Sequence, residues 1–97
     1  MLVALQRFDV RIRDSHSLKQ KRHVVKALTA ALRQRFNAGV AEVDHQDLWQ
    51  RAAIAVAVVG VQEYHLRSVT SEIERFVETW PAVEVLDVTV TVHAPED

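Results

Sequence analysis

There is no cysteine in the chain, so disulfide staples, thiolate zinc sites and cysteine nucleophiles are excluded, and a reducing compartment such as the cytoplasm is the expected location. Glycine is almost as scarce. Only Gly39 and Gly60 occur, too few and too far apart for a glycine-rich loop that cradles phosphates. Aromatic residues make up 6% of the chain, which leaves little material for a base-stacking surface. No apolar run approaches the ~20 residues that a membrane helix needs. The opening Met1–Leu5 is apolar but short, and Arg7 and Asp9 follow at once, unlike a secretory leader with its basic start and longer apolar run. Acidic residues are missing from one whole stretch: none lies between Asp14 and Glu42.

Set against those absences is a strong separation of charge. Residues 1–37 carry nine Lys/Arg and two Asp/Glu, while residues 38–97 carry three and eleven. A chain of nominal charge −1 is therefore split into parts of +7 and −8. Such asymmetry points to a polyanion, a self-association partner or a bound phosphate group. The 97 residues, 48% hydrophobic and 26% charged, are sufficient for a single domain with its own core.

The hydrophobic pattern predicts six elements. Residues 2–13 alternate, with Leu2, Ala4, Phe8, Val10 and Ile12 on one side and Arg7, Asp9, Arg11 and Arg13 on the other. Gln6 interrupts the apolar side of this strand. Asp14–Ser17 breaks the alternation, and Ser17 with Gln20 forms a capping box. From Leu18 the period becomes helical, with Leu18, Val25, Leu28, Leu32 and Phe36 as the stripe and Asn37 and Gly39 as the stop. A short strand follows over Val40–Asp44. Ala52–Val59 is almost continuously apolar, as in a central strand buried on both faces or nearly so, and ends at Gly60. A second helix runs from about Gln62 to Thr79 through Leu66, Val69, Ile73, Phe76, Val77 and Trp80, and Pro81 stops it. The last strand, Val83–Val92, is expected to face inward with Leu86, Val88, Val90 and Val92, and Pro95–Asp97 is expected to fray. The order β-α-β-β-α-β predicts an α+β ferredoxin-like sandwich: a four-stranded antiparallel sheet with two helices on one face.

On the first helix, Lys19, Arg22, Lys26 and Arg33 fall within an arc of about 60° at ~100° per residue. No Glu interrupts the helix, although mixed signs would stabilise a merely solvated face. Lys19, Lys21 and Arg22 also crowd the first turn, where the helix dipole disfavours cations. A local rule broken repeatedly without visible compensation points to function. These cations, with Arg13, Ser15, His16 and Ser17 beside the helix start, form the candidate anion- or nucleic-acid-binding set.

The run Ser15-His16-Ser17-Leu18-Lys19-Gln20-Lys21-Arg22-His23-Val24-Val25-Lys26-Ala27-Leu28 resembles the opening motif of the YlxP-like family. Arg35-Phe36-Asn37, Val40–Val43, Gln46–Ala52 and Val83–Val88 resemble its later blocks, so the likeness covers nearly the whole chain. It implies a small bacterial ferredoxin-like domain of unknown function. The family's genes often lie near those for transcription, translation initiation and ribosome maturation. It supplies no catalytic residues to carry over.

Competing readings are weaker on the residues themselves. Asp44-His45-Gln46-Asp47 holds metal-capable side chains, but three ligands in four residues rarely converge without another element. Asp14, Ser15 and His16 are triad residue types, yet immediate neighbours do not aim at one another as nucleophile and base must. Acylphosphatase shares this topology, and Arg13 and Asn37 suit it superficially, but its glycine-containing first loop has no counterpart here. The expectation is a non-enzymatic domain without a cofactor, associated with RNA or the ribosome. The alternative is a homo-oligomeric interaction module or one that binds a small phosphorylated ligand. A homodimer would use the sheet face without helices, where Val3, Leu5, Val83 and Val85 leave an apolar patch and Arg7 or Arg11 meets Asp87. Trp49, in the link before the third strand, is expected at a partner interface.

Overall fold

The elements run β1 (Leu2–Ile12), α1 (Leu18–Phe36), β2 (Gly39–Asp44), β3 (Arg51–Gly60), α2 (Glu63–Glu78) and β4 (Val83–His93) in a computed structural model that describes residues 1–95. The four strands form one antiparallel sheet in the order β2-β3-β1-β4. Both helices pack on the same side of it, over a core that includes Phe8, Ile12, Leu28, Leu32, Ile54, Leu66, Ile73 and Val77. The β-α-β-β-α-β order and two-layer build are those expected from the sequence. Of the expected frayed end, Glu96 and Asp97 lie outside the described residues.

Local chemistry sets the boundaries. Ser17 Oγ accepts the Gln20 backbone N–H at 3.1 Å, and Gln20 Oε1 accepts the His16 N–H at 2.6 Å, so the capping box forms one residue wider than its usual pattern. Asn37 ends α1 in the left-handed conformation (φ 50°), and its N–H donates to the Arg33 carbonyl. Gly60, the last residue of β3, lets Leu66 of α2 pack close: a Cβ there would lie 3.0 Å from Leu66 Cδ2. Gln6, the polar intruder on the core side of β1, is buried and donates through Nε2 to the Thr70 carbonyl of α2 at 3.0 Å.

Two expectations for the sheet need correction. The β1–β4 register shifts between Asp9 and Val10, so that Asp9 faces Asp87 and Val10 faces Val85. Leu86 is the extra residue of this bulge and is 39% exposed instead of facing the core. The same shift turns Val83 and Val85 inward, away from the helix-free face on which they were expected. For β3, Ala52, Ile54, Val56 and Val58 are buried, but Val59 at its end is 68% exposed. The second side of β3 is covered only in part.

Candidate anion-binding cleft

The turn between β1 and α1 reverses the chain through Asp14 at φ 58°, a left-handed conformation that Asp tolerates better than most residues. Arg13 N–H donates to the Ala82 carbonyl at 2.8 Å, fixing the end of β1 against the start of β4. The turn and the first two turns of α1 enclose an open cleft of about 830 Å³, lined among others by Arg13, Asp14, Lys19, Arg22, His23 and Lys26. Four permanent cations face one carboxylate there. Lys19, Arg22 and Lys26 are exposed, and among the described residues their side chains make no ion pair or hydrogen bond. Unpaired like charges held on one rigid helix create a local positive potential, and lining a concavity strengthens it.

The other expected members of the site are placed differently. Ser15 is buried, its hydroxyl donating to the Ser17 carbonyl at 3.1 Å. The Ser15 carbonyl accepts from Gln50 Nε2 at 3.2 Å. Ser17 Oγ is occupied as the helix cap. Both serines line the cleft and hold the turn together: the Ser15 O–H is committed to the Ser17 carbonyl, whereas Ser17 Oγ only accepts and keeps its own O–H as a donor. His16 is exposed but outside the cleft lining. Arg33 is two turns further on, and its Nη2 donates to the Val40 carbonyl at 2.7 Å, tying α1 to the edge strand β2. The four-residue stripe is therefore three cleft cations and one structural arginine, with Arg13 joining the three from the strand.

Lys21 is the residue whose role the charge pattern hid. It counts among the crowded cations of the first turns, yet it is fully buried. Its Nζ lies 2.8 Å from Glu42 Oε2 and 2.9 Å from the His45 carbonyl, with the Gln46 and Arg51 carbonyls each at 3.3 Å. One ammonium group gathers the β2–β3 link around the start of α1, which supplies the local compensation missing from the sequence view. A signal was present: Lys21, Val25, Leu28 and Leu32 follow helical spacing along the buried stripe.

The remaining candidates lie outside the cleft. Trp49 is 53% exposed in the β2–β3 link beside Leu48, at 47%. Arg7 pairs within the chain with Asp9 at 3.4 Å and Asp44 at 3.7 Å, and Arg11 pairs with Glu84 at 3.5 Å. Asp87 is exposed. Among the described residues no group of three or more side chains is arranged to hold a metal ion, and no helix is long and apolar enough to cross a membrane.

Fold and cleft together define a small ferredoxin-like α+β domain whose first helix carries unpaired cations beside a turn. The chain belongs to the family described as a protein of unknown function (DUF503), whose model matches residues 3–90. It is 30% identical over 73 residues to the uncharacterized protein YlxP of Bacillus subtilis (strain 168), covering 75% of this chain and 79% of that one. Among solved structures, the de novo designed protein Foldit4 aligns with a TM-score of 0.52 at 10% identity, covering 97% of this chain and 98% of the design. That is a likeness of fold alone.

Proposed function

We propose that the chain binds RNA, free or within the ribosome, through the cleft formed by Arg13, Lys19, Arg22 and Lys26. The observation that carries this reading is the set of three unpaired helix cations beside Arg13, with Asp14 as the only carboxylate in the lining. Neighbouring acids would neutralise a cation kept only for solubility. The helix-free sheet face argues for the mode of binding. Its β1 and β3 positions are Val3, Leu5, Arg7, Asp9 and Arg11, and Arg51, Ala53, Ala55, Ala57 and Val59. None of these β1 and β3 positions carries an aromatic ring on which a base could stack, so recognition rests on phosphate and shape with weak sequence preference. The same reading is of a binding domain and invokes no catalytic step.

The test is cosedimentation with ribosomal subunits and with single-stranded RNA across a salt series, comparing wild type with Lys19→Glu/Lys26→Glu. Binding should weaken as salt rises, and removing two phosphate contacts should flatten the slope of log K against log salt by about 1.4. Equal behaviour of the two proteins, or no binding at low salt, would sink the RNA reading. Saturable binding of a small phosphorylated compound in the cleft, without RNA affinity, would establish the alternative, a small-ligand module. A homodimer through the helix-free sheet face is compatible with either, because α1 lies on the other layer.

A further inference from the structure

The strand register lays out the helix-free face in rows. Val3 lies between Val59 and His93, and Leu5 between Ala57 and Thr91. Arg7 follows between Ala55 and Thr89, Asp9 between Ala53 and Asp87, and Arg11 between Arg51 and Glu84. Across β3, Gly39 is opposite Ala57 and Ala41 opposite Ala55. These four small residues floor a shallow trough of about 460 Å³. Beside it on β1, Leu5 stands 46% exposed. A knob and a hole therefore sit side by side on one surface.

The charges of this face carry both signs, and two of them are left over. Arg7 is satisfied by Asp9 and Asp44, and Arg11 by Glu84. Asp87 faces Asp9 in the register, and Arg51 faces Arg11, both unfavourable like-charge pairings. Among the described residues neither Asp87 nor Arg51 has a side-chain partner, and Arg51 Nε is buried without a hydrogen bond.

We infer that this face pairs with the same face of a second copy of the chain. On ideal strand spacings, a two-fold axis between β1 and β3 lets the two sheets cross at about −30°, the usual angle for aligned sheets. Leu5 of one copy then lies over the trough of the other, Asp87 beside the partner's Arg51, and Val59 against the partner's Val59. Asp9 approaches its own counterpart near the axis, and there each carboxylate keeps its Arg7 and its His45, the latter at 3.5 Å. The face spans roughly 600 Å² in projection, and side-chain relief brings it near the ~800 Å² per partner of a standard interface. A polyanion does not fit a surface of alternating signs, whereas a second copy brings both signs to the required places. This pairing does not rest on the RNA reading and leaves the α1 cleft open.

Sedimentation velocity over a range of micromolar concentrations tests it. Wild type should sediment as a dimer. Leu5→Arg, which adds a charge to the knob, and Ala57→Leu, which fills the hole, should each weaken association roughly tenfold or more, with unchanged circular dichroism. Arg51→Glu and Asp87→Lys should each weaken it alone, and mixing the two variants should restore a dimer, since the mixed pair regains both ion pairs. A monomeric wild type at every concentration overturns the inference. So does a dimer indifferent to both Leu5→Arg and Ala57→Leu, or a mixture that fails to recover.

Discussion

Lys19 and Lys21 are two residues apart on α1, yet one is exposed in the cleft and the other is fully buried against Glu42. Replacing them should therefore have opposite consequences. Lys21→Ala leaves Glu42, only 19% exposed, without its counter-charge and strips the His45, Gln46 and Arg51 carbonyls of a donor. A loss of about 3 kcal/mol is expected, at the low end for a broken buried pair because Glu42 keeps some contact with water. Urea denaturation measures it, and Lys19→Ala under the same conditions should stay within about 0.5 kcal/mol of wild type. The place of Lys21 on the apolar stripe was legible in its spacing. Its partners were not, because Glu42 is 21 residues away, the His45 and Gln46 carbonyls belong to a link without periodicity, and the Arg51 carbonyl opens β3, 30 residues on. Ser15 and Ser17 teach the converse lesson. A hydroxyl at a helix start suits both a phosphate and a cap, and only the hydrogen-bond geometry distinguishes the two uses.

At the scale of elements, the change from two-residue to helical period located every strand and helix to within about two residues. It failed where β4 inserts a bulge. Before Leu86 the inward residues are odd-numbered, after it they are even-numbered, and a single extra residue carries no periodic signal of its own. Charge on α2 allows a sharper forecast. The Glu74 carboxyl is pushed above its ordinary value of 4.5, first by desolvation and then by the hydrogen bond and charge of Glu78 one turn on. A carboxyl raised in the folded state favours folding at low pH, and this contribution is lost as pH rises through its folded-state pKa. Glu74→Gln should accordingly stabilise the protein at neutral pH, by about 0.2–0.5 kcal/mol, the usual cost of a like-charge i,i+4 pair. Below pH 4.5 the gain should shrink, and thermal melts at the two pH values would show it. Asp44 behaves in the opposite sense: the His45 N–H and then the His45 charge hold its carboxyl below the ordinary range. Its interactions persist above that lowered pKa and fade as pH falls through it.

For the molecule as a whole, the two layers of the surface are proposed to meet two kinds of partner. α1 offers a single sign of charge, suited to a polyanion, and the sheet offers both signs beside an apolar trough, suited to its own copy. A dimer joined through the sheets would present two α1 clefts outward, so a long RNA could engage both. Leu5→Arg should then lower affinity for long RNA while leaving a short oligonucleotide unaffected, because only the long strand gains from bivalency. Filter binding with both lengths checks this. The melting temperature of wild type should also climb with protein concentration, and that of Leu5→Arg should not.

The burial of Lys21 has a practical consequence. Lysine occurs only three times in the chain, at positions 19, 21 and 26. With Lys21 sealed inside, every reactive side-chain amine of the folded protein lines one cleft. Among the lysines, an amine-directed reagent therefore labels only those of this site. Without any mutation, the protein carries a chemical footprint in which protection of two lysines reports occupancy of the cleft, and the appearance of a third reports unfolding.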